Sequence, residues 1–141
     1  MNPDALRPIL ELHRAIHAVD LFITRLPDLG VTQAEAVILA FLHGKADATI
    51  AELHRAFGHR RSTLTNVLDR LVERGLAARE VSQHDRRSFV VRLTRSGSTL
   101  SKKIHAALAE FARRAFGTVS ERDLAAFQRV LSRLIEASET N

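Results

Sequence analysis

Across residues 49–93 the sequence sets down a fixed order: a short helix, a tight turn, a second helix, then two β-prone segments around a charged tip. That order leaves few ways to bury the apolar positions. Thr49-Ile50-Ala51-Glu52 forms a capping box, in which hydroxyl and carboxylate each satisfy a backbone N–H at a helix start. The helix it opens ends at Phe57-Gly58. A second helix begins near Arg60 and runs to Arg74, with Leu64, Val67, Leu68 and Leu71 on one apolar face. Gly75 stops it, since glycine follows a last helical turn without a Cβ penalty. Residues 76–81 and 88–93 are β-prone, and the polar stretch from Ser82 to Arg87 between them predicts a hairpin.

The flanks are helical. Leu6, Ile9, Leu10, His13, Ile16, His17, Ile23 and Leu26 recur at three- and four-residue steps, which predicts one helix over residues 4–26. Pro27 and Gly30 bracket the break that follows. Thr32 and Glu35 form another capping box, opening a helix that carries Val37, Ile38, Phe41 and Leu42 and stops near Gly44. Thr94 caps a helix carrying Leu100, Ile104, Leu108, Phe111 and Phe116, broken at Gly117. Ser120 and Asp123 open a last one, with Leu124, Phe127, Val130, Leu131, Leu134 and Ile135 on its apolar face. Residues 138–141 are expected to fray. The expected fold is mainly α with a small β-hairpin wing, divided at residues 1–28, 29–97 and 98–141.

Charge is distributed unevenly over the 141 residues. Residues 45–97 hold 11 Lys and Arg against 6 Asp and Glu, and the remainder holds 10 of each, so the whole surplus of +5 sits in the middle of the chain. A localised positive surplus between neutral flanks fits either a polyanion-binding module or a well-solvated surface. The absence of cysteine excludes disulfides, Cys-ligated zinc and thiol redox switches, and permits a reducing compartment. No apolar run reaches the roughly 20 residues of a membrane span, and the first residues lack the pattern of a secretory signal. The expected location is the cytoplasm. Neither a Gly-rich phosphate loop nor a Gly-x-Ser-x-Gly elbow is present, so no catalytic residue and no cofactor is expected.

The strings Thr49 to Leu53, Arg61 to Leu76, Asp85-Arg86-Arg87-Ser88 and Val91 to Gly97 resemble, in order and spacing, the multiple-antibiotic-resistance regulator (MarR) family. The resemblance spans nearly the whole chain. It implies a winged helix-turn-helix with a helical dimerisation region, binding an operator in double-stranded DNA as a homodimer, most often as a repressor released by a small aromatic or anionic effector. A helix entering the major groove must present polar and basic side chains from its first turns. Arg60, Arg61, Ser62, Thr63, Thr65 and Asn66 meet that need, with Arg61 suited to guanine and Thr65 or Asn66 to a base edge or phosphate. Arg70 and Arg74 either reach phosphate or pair with Asp69 and Glu73. The resemblance makes Arg87 the wing-tip arginine that enters the minor groove, held by Asp85 through a charge-assisted hydrogen bond, with Arg86 and His84 near the backbone. One position departs from the family: Arg60 stands where a small hydroxyl residue usually caps the second helix, unless Ser62 takes that task.

The effector cleft implied by the family lies between the dimer helices and the winged module. His13, Arg14, His17, Phe22, Phe41 and His43 are candidate lining residues, although His13 and His17 read more readily as partly buried or interfacial histidines. A metal-responsive regulator using these histidines and a non-specific DNA binder are the alternative functions. No metal site is expected, because His13 and His17 lack a third ligand.

Overall fold

The computed structural model describes residues 3–58 and 60–139. A 3-10 turn, Pro3–Leu6, leads into α1 (Arg7–Thr24), followed by α2 (Gln33–Leu42), a two-residue strand β1 (Ala48–Thr49), α3 (Ile50–Phe57) and α4 (Arg61–Glu73). The hairpin β2 (Ala77–Val81) and β3 (Phe89–Leu93) precedes α5 (Arg95–Phe116) and α6 (Glu121–Glu139). The expected mainly helical chain with a β wing is what the structure has. The strand order is β1-β3-β2, antiparallel throughout, with Ala48 opposite Val91 and Val81 opposite Phe89. Two residues carry no alternation, so β1 was invisible to periodicity. It pins the start of α3 to the inner wing strand.

Capping decides where the helices begin. Thr32 Oγ1 accepts from Glu35 N at 3.3 Å, and Thr32 N donates to Glu35 Oε2 at 3.0 Å. Thr49 and Glu52 repeat the arrangement at 3.1 and 2.7 Å. The Thr49 backbone N–H, and then its hydroxyl, hold the Glu52 carboxyl below the usual carboxylate range. A depressed folded value adds stability above the ordinary carboxylate range, lost as pH falls through the depressed value. Glu52→Gln is therefore expected to remove part of the acid-side decline in a pH series of thermal midpoints while leaving the neutral-pH fold intact. An unchanged acid limb would refute this.

The chain divides into two compact units, residues 1–106 and 107–141. The first is built around Ile38, Leu39, Leu42, Leu53, Leu64, Leu68, Leu71 and Val91, all at most 1% exposed. Ile23 of α1 and Ile104 of α5 are 2% and 0% exposed, so the flanking helices also contribute to this unit's interior. Each such side chain contributes about 1.5–3 kcal/mol by leaving water. The second unit contains the end of α5 and all of α6, and α6 buries no residue. Of the residues expected to fray, Ser138 and Glu139 are helical, and Ser138 Oγ donates to the Ile135 carbonyl at 2.7 Å. Thr140 and Asn141 lie outside the described residues. No described helix is long and apolar enough to cross a membrane.

Candidate nucleic-acid interface

The tight turn between α3 and α4 begins at Gly58, whose φ of 60° closes α3 while its N–H donates to His54 O at 2.9 Å. Helix α4 starts at Arg61, and no side chain caps it: neither Arg60 nor Ser62 takes the role of the hydroxyl residue usual in the family. Its first-turn N–H groups are left open toward any acceptor outside the chain, as at helix N-termini that bind phosphate. Leu64, Val67, Leu68 and Leu71 are buried as expected, which turns Arg61, Ser62, Thr63, Thr65 and Asn66 outward. Thr65 Oγ1 donates to the Arg61 carbonyl at 2.9 Å, so its remaining capacity is that of an acceptor.

The wing tip is a bonded loop. Ser82 N donates to Ser88 O at 2.9 Å, and Ser88 N to Asp85 O at 3.0 Å. The Ser82 hydroxyl, 7% exposed, accepts from the backbone N–H groups of His84 and Asp85 at 3.2 and 3.4 Å. Asp85 Oδ1 accepts from the backbone N–H of Arg87 at 3.0 Å. The aspartate thus fixes the main chain at Arg87 and leaves the guanidinium free of it.

Ion pairing sorts the arginines into two sets. Arg70 and Arg74 pair with Glu35 of α2, each at 3.0 Å. Among the described residues neither pairs with Asp69 or Glu73. Asp69 instead takes Arg79 of β2 at 3.0 Å, tying the wing to α4, and Arg92 takes Glu80 at 3.3 Å. Among the described residues no ion pair involves Arg60, Arg61, Arg86 or Arg87, all of them exposed. Arg70, Arg74, Arg79 and Arg92 are thus paired within the module, while the arginines at the start of α4 and the wing tip, like Arg55 and Arg95, have no ion pair among the described residues. Between α4 and the ribbon lies a cleft of about 180 Å³, bordered by Arg61, Thr65, Arg79 and Phe89 over Leu64 and Leu68.

A backbone joint sets the wing against α5. Thr94 Oγ1 donates to Gly75 O at 2.6 Å and accepts from Gly97 N at 3.0 Å, while Thr94 N donates to Leu76 O at 3.1 Å. The Thr94 cap of α5 was expected, but its bonds to Gly75 and Leu76 and the Glu35 ion pairs were not legible in the sequence. Glu35 read as a capping residue, and nothing local marks a partner in a distant helix.

The candidate effector residues lie along α1 and at the end of α2. His13, Arg14 and His17 are exposed on α1, and Phe22 is half-buried near its end. Phe41 packs edge-on against Phe57 at 5.3 Å between centroids, with the Lys45 ammonium 4.7 Å above its ring. His43 stacks on His105 at 4.4 Å, its Nδ1 3.2 Å from Ser101 Oγ. The partners of His43 are on α5. Among the described residues no group of three or more His, Asp or Glu is placed to hold a metal ion.

A short helix, a tight turn, an outward-facing helix and a braced β-ribbon with unneutralised arginines define a winged helix-turn-helix DNA-binding transcriptional regulator. The chain belongs to the MarR family. The family's sequence profile matches residues 29–88. Over 107 residues the chain is 31% identical to the multiple antibiotic resistance protein MarR of Escherichia coli, covering 72% of this chain and 74% of the relative. It is 26% identical over 112 residues to the HTH-type transcriptional repressor MdtR of Bacillus subtilis, covering 79% and 72%. A crystal structure of a mutant E. coli MarR complexed with operator DNA superposes with a TM-score of 0.65 at 26% identity, covering 93% of this chain and 98% of that one.

Proposed function

We propose that two copies of this chain bind a pseudo-palindromic operator in the cytoplasm and repress transcription until a small aromatic or anionic effector releases the DNA. The observation that carries this reading is the placement of Arg60, Arg61, Arg86 and Arg87, exposed and without an ion pair among the described residues, on the two elements that would meet a duplex. Arg61, Thr65 and Asn66 read base edges in the major groove, and Ser62 and Thr63 approach the same groove wall. Arg60 and the open α4 N-terminus meet phosphate, Arg86 follows the backbone beside the wing, and Arg87 enters the minor groove on a main chain fixed by Asp85. Arg70 reaches a phosphate farther along α4.

Dimerisation through residues 1–28 and 98–141 is supported by apolar surface that the single chain leaves uncovered. Leu6, Ile9, Leu10 and Ile16 of the N-terminal segment are 49–63% exposed, and in the second unit Val130 and Ile135 are 54% and 61% exposed. Monomeric surfaces rarely tolerate contiguous apolar patches of this kind. A two-fold pair would set its α4 helices one DNA turn apart, ~34 Å. Since Phe41 packs on Phe57 and His43 on His105 of α5, an effector reading rests first on His13, Arg14, His17 and Phe22.

The test is the mass of the protein–DNA complex by light scattering, combined with a salt titration of affinity. Two protomers per operator are expected, with log affinity falling by about 0.9 per neutralised phosphate for each decade of salt. One protomer per duplex overturns the dimer. Equal affinity for scrambled duplexes replaces the regulator with a non-specific binder.

A further inference from the structure

Glu35 does more than cap α2. Its Oε2 accepts from Thr32 N and from Arg74 Nη1, each at 3.0 Å, and its Oε1 lies 3.0 Å from Arg70 Nε. The residue is 2% exposed, whereas the Arg70 and Arg74 side chains are 50% and 41% exposed. A carboxylate this desolvated is held in place by its partners, because leaving it unpaired is costly. Arg70 meets Glu35 along the Nε edge of its guanidinium, half of its side chain stays exposed, and no other carboxylate pairs with it among the described residues. On α4, Ser62, Asn66 and Arg70 follow one another at four-residue steps, so Arg70 continues the exposed line that begins at the helix start.

We propose that Glu35 is a positioning residue for DNA binding: by holding Nε of Arg70 it presents the outer guanidinium nitrogens to a backbone phosphate at the groove edge. This rests on α4 being the DNA-reading helix. The physical gain is pre-organisation. An arginine already ordered in the free protein loses less rotamer freedom on binding, a difference that corresponds to about 2- to 12-fold in affinity. A purely electrostatic role gives the opposite sign, because removing a negative charge beside the interface strengthens attraction to DNA.

The experiment compares wild type, Glu35→Gln, Arg70→Ala and the double variant of the full chain, on operator and random duplexes, well below the unfolding transition. The glutamine oxygen can still accept from Thr32 N–H, so the capping bond survives. Glu35→Gln is expected to weaken both duplexes alike by about 2- to 12-fold. Arg70→Ala should lower the salt slope by roughly one phosphate contact. In the Arg70→Ala background, Glu35→Gln should cost nothing further, because one residue acts through the other. Unchanged or tighter binding by Glu35→Gln, or additive losses in the double variant, overturns the proposal. Should Glu35→Gln fail to fold, Arg70→Lys reads the same point: it keeps the charge, loses the side-on grip and is expected to bind more weakly, and wild-type affinity overturns the idea. A wild-type chain that binds no duplex overturns the parent reading itself, an outcome distinct from all of these.

Discussion

Replacing Gly97 by alanine is expected to lower the thermal midpoint by roughly 10 °C, the consequence of about 3 kcal/mol of overpacking in a chain of this size. A Cβ at Gly97 would overlap the Leu76 carbonyl oxygen and stand 2.8 Å from its carbon. Both are backbone atoms, so no side-chain rotation relieves the clash. The obstruction falls where α5 packs against the exit of α4, beside the Thr94 bonds to Gly75 and Leu76. Relief requires α5 to lift away from the wing base. Gly44→Ala is the control: φ there is +74°, but an added Cβ meets nothing within 4 Å. Its cost is the left-handed backbone penalty alone, about 1–2 kcal/mol. Thermal unfolding followed by circular dichroism separates the two. A Gly97→Ala midpoint within 2 °C of wild type on the order of measurement error would show that this joint is not tightly packed.

Arg87→Ala is expected to weaken operator binding by about 1–3 kcal/mol, or roughly 5- to 150-fold, with little change in stability. Stability is spared because no ion pair to the Arg87 guanidinium exists among the described residues, and Asp85 holds only its backbone N–H. Affinity is lost because a narrow minor groove concentrates negative potential where an inserted arginine is most favoured. Arg87→Lys should restore part of the loss, since the ammonium keeps the charge but is more strongly hydrated than a guanidinium. Asp85→Ala should produce a smaller loss, by loosening the loop without removing the cation. Fluorescence anisotropy with a labelled operator measures all three. Wild-type affinity in Arg87→Ala would remove the wing from the interface.

Much of this molecule is legible in its sequence because its determinants are local. The Thr32-Glu35 and Thr49-Glu52 boxes mark two helix starts, Gly58 and Gly75 mark two helix ends, and the buried face of α4 follows from the spacing of Leu64, Val67, Leu68 and Leu71. The wing is signalled by two β-prone runs around a polar tip, and its ladder from Ala77 to Val81 opposite Leu93 to Phe89 is one residue shorter at each strand's start than expected. What escaped the sequence depends on pairs distant along the chain. Glu35 with Arg70 and Arg74, Asp69 with Arg79, and Gly97 against Leu76 join elements that no periodicity relates. Strand β1 was missed for a different reason: two residues become a strand only because β3 supplies hydrogen-bond partners. In the candidate interface, composition drew attention to every arginine of the middle segment alike. The ion pairs show which of them, Arg70, Arg74, Arg79 and Arg92, also brace the fold.

The most direct test of a paired reading head on duplex DNA is selection of bound sites from a random duplex pool by the purified chain. A consensus of two inverted half-sites centred about 10 base pairs apart is the expected result. Recovery of no shared sequence, or of a single half-site without symmetry, would contradict it.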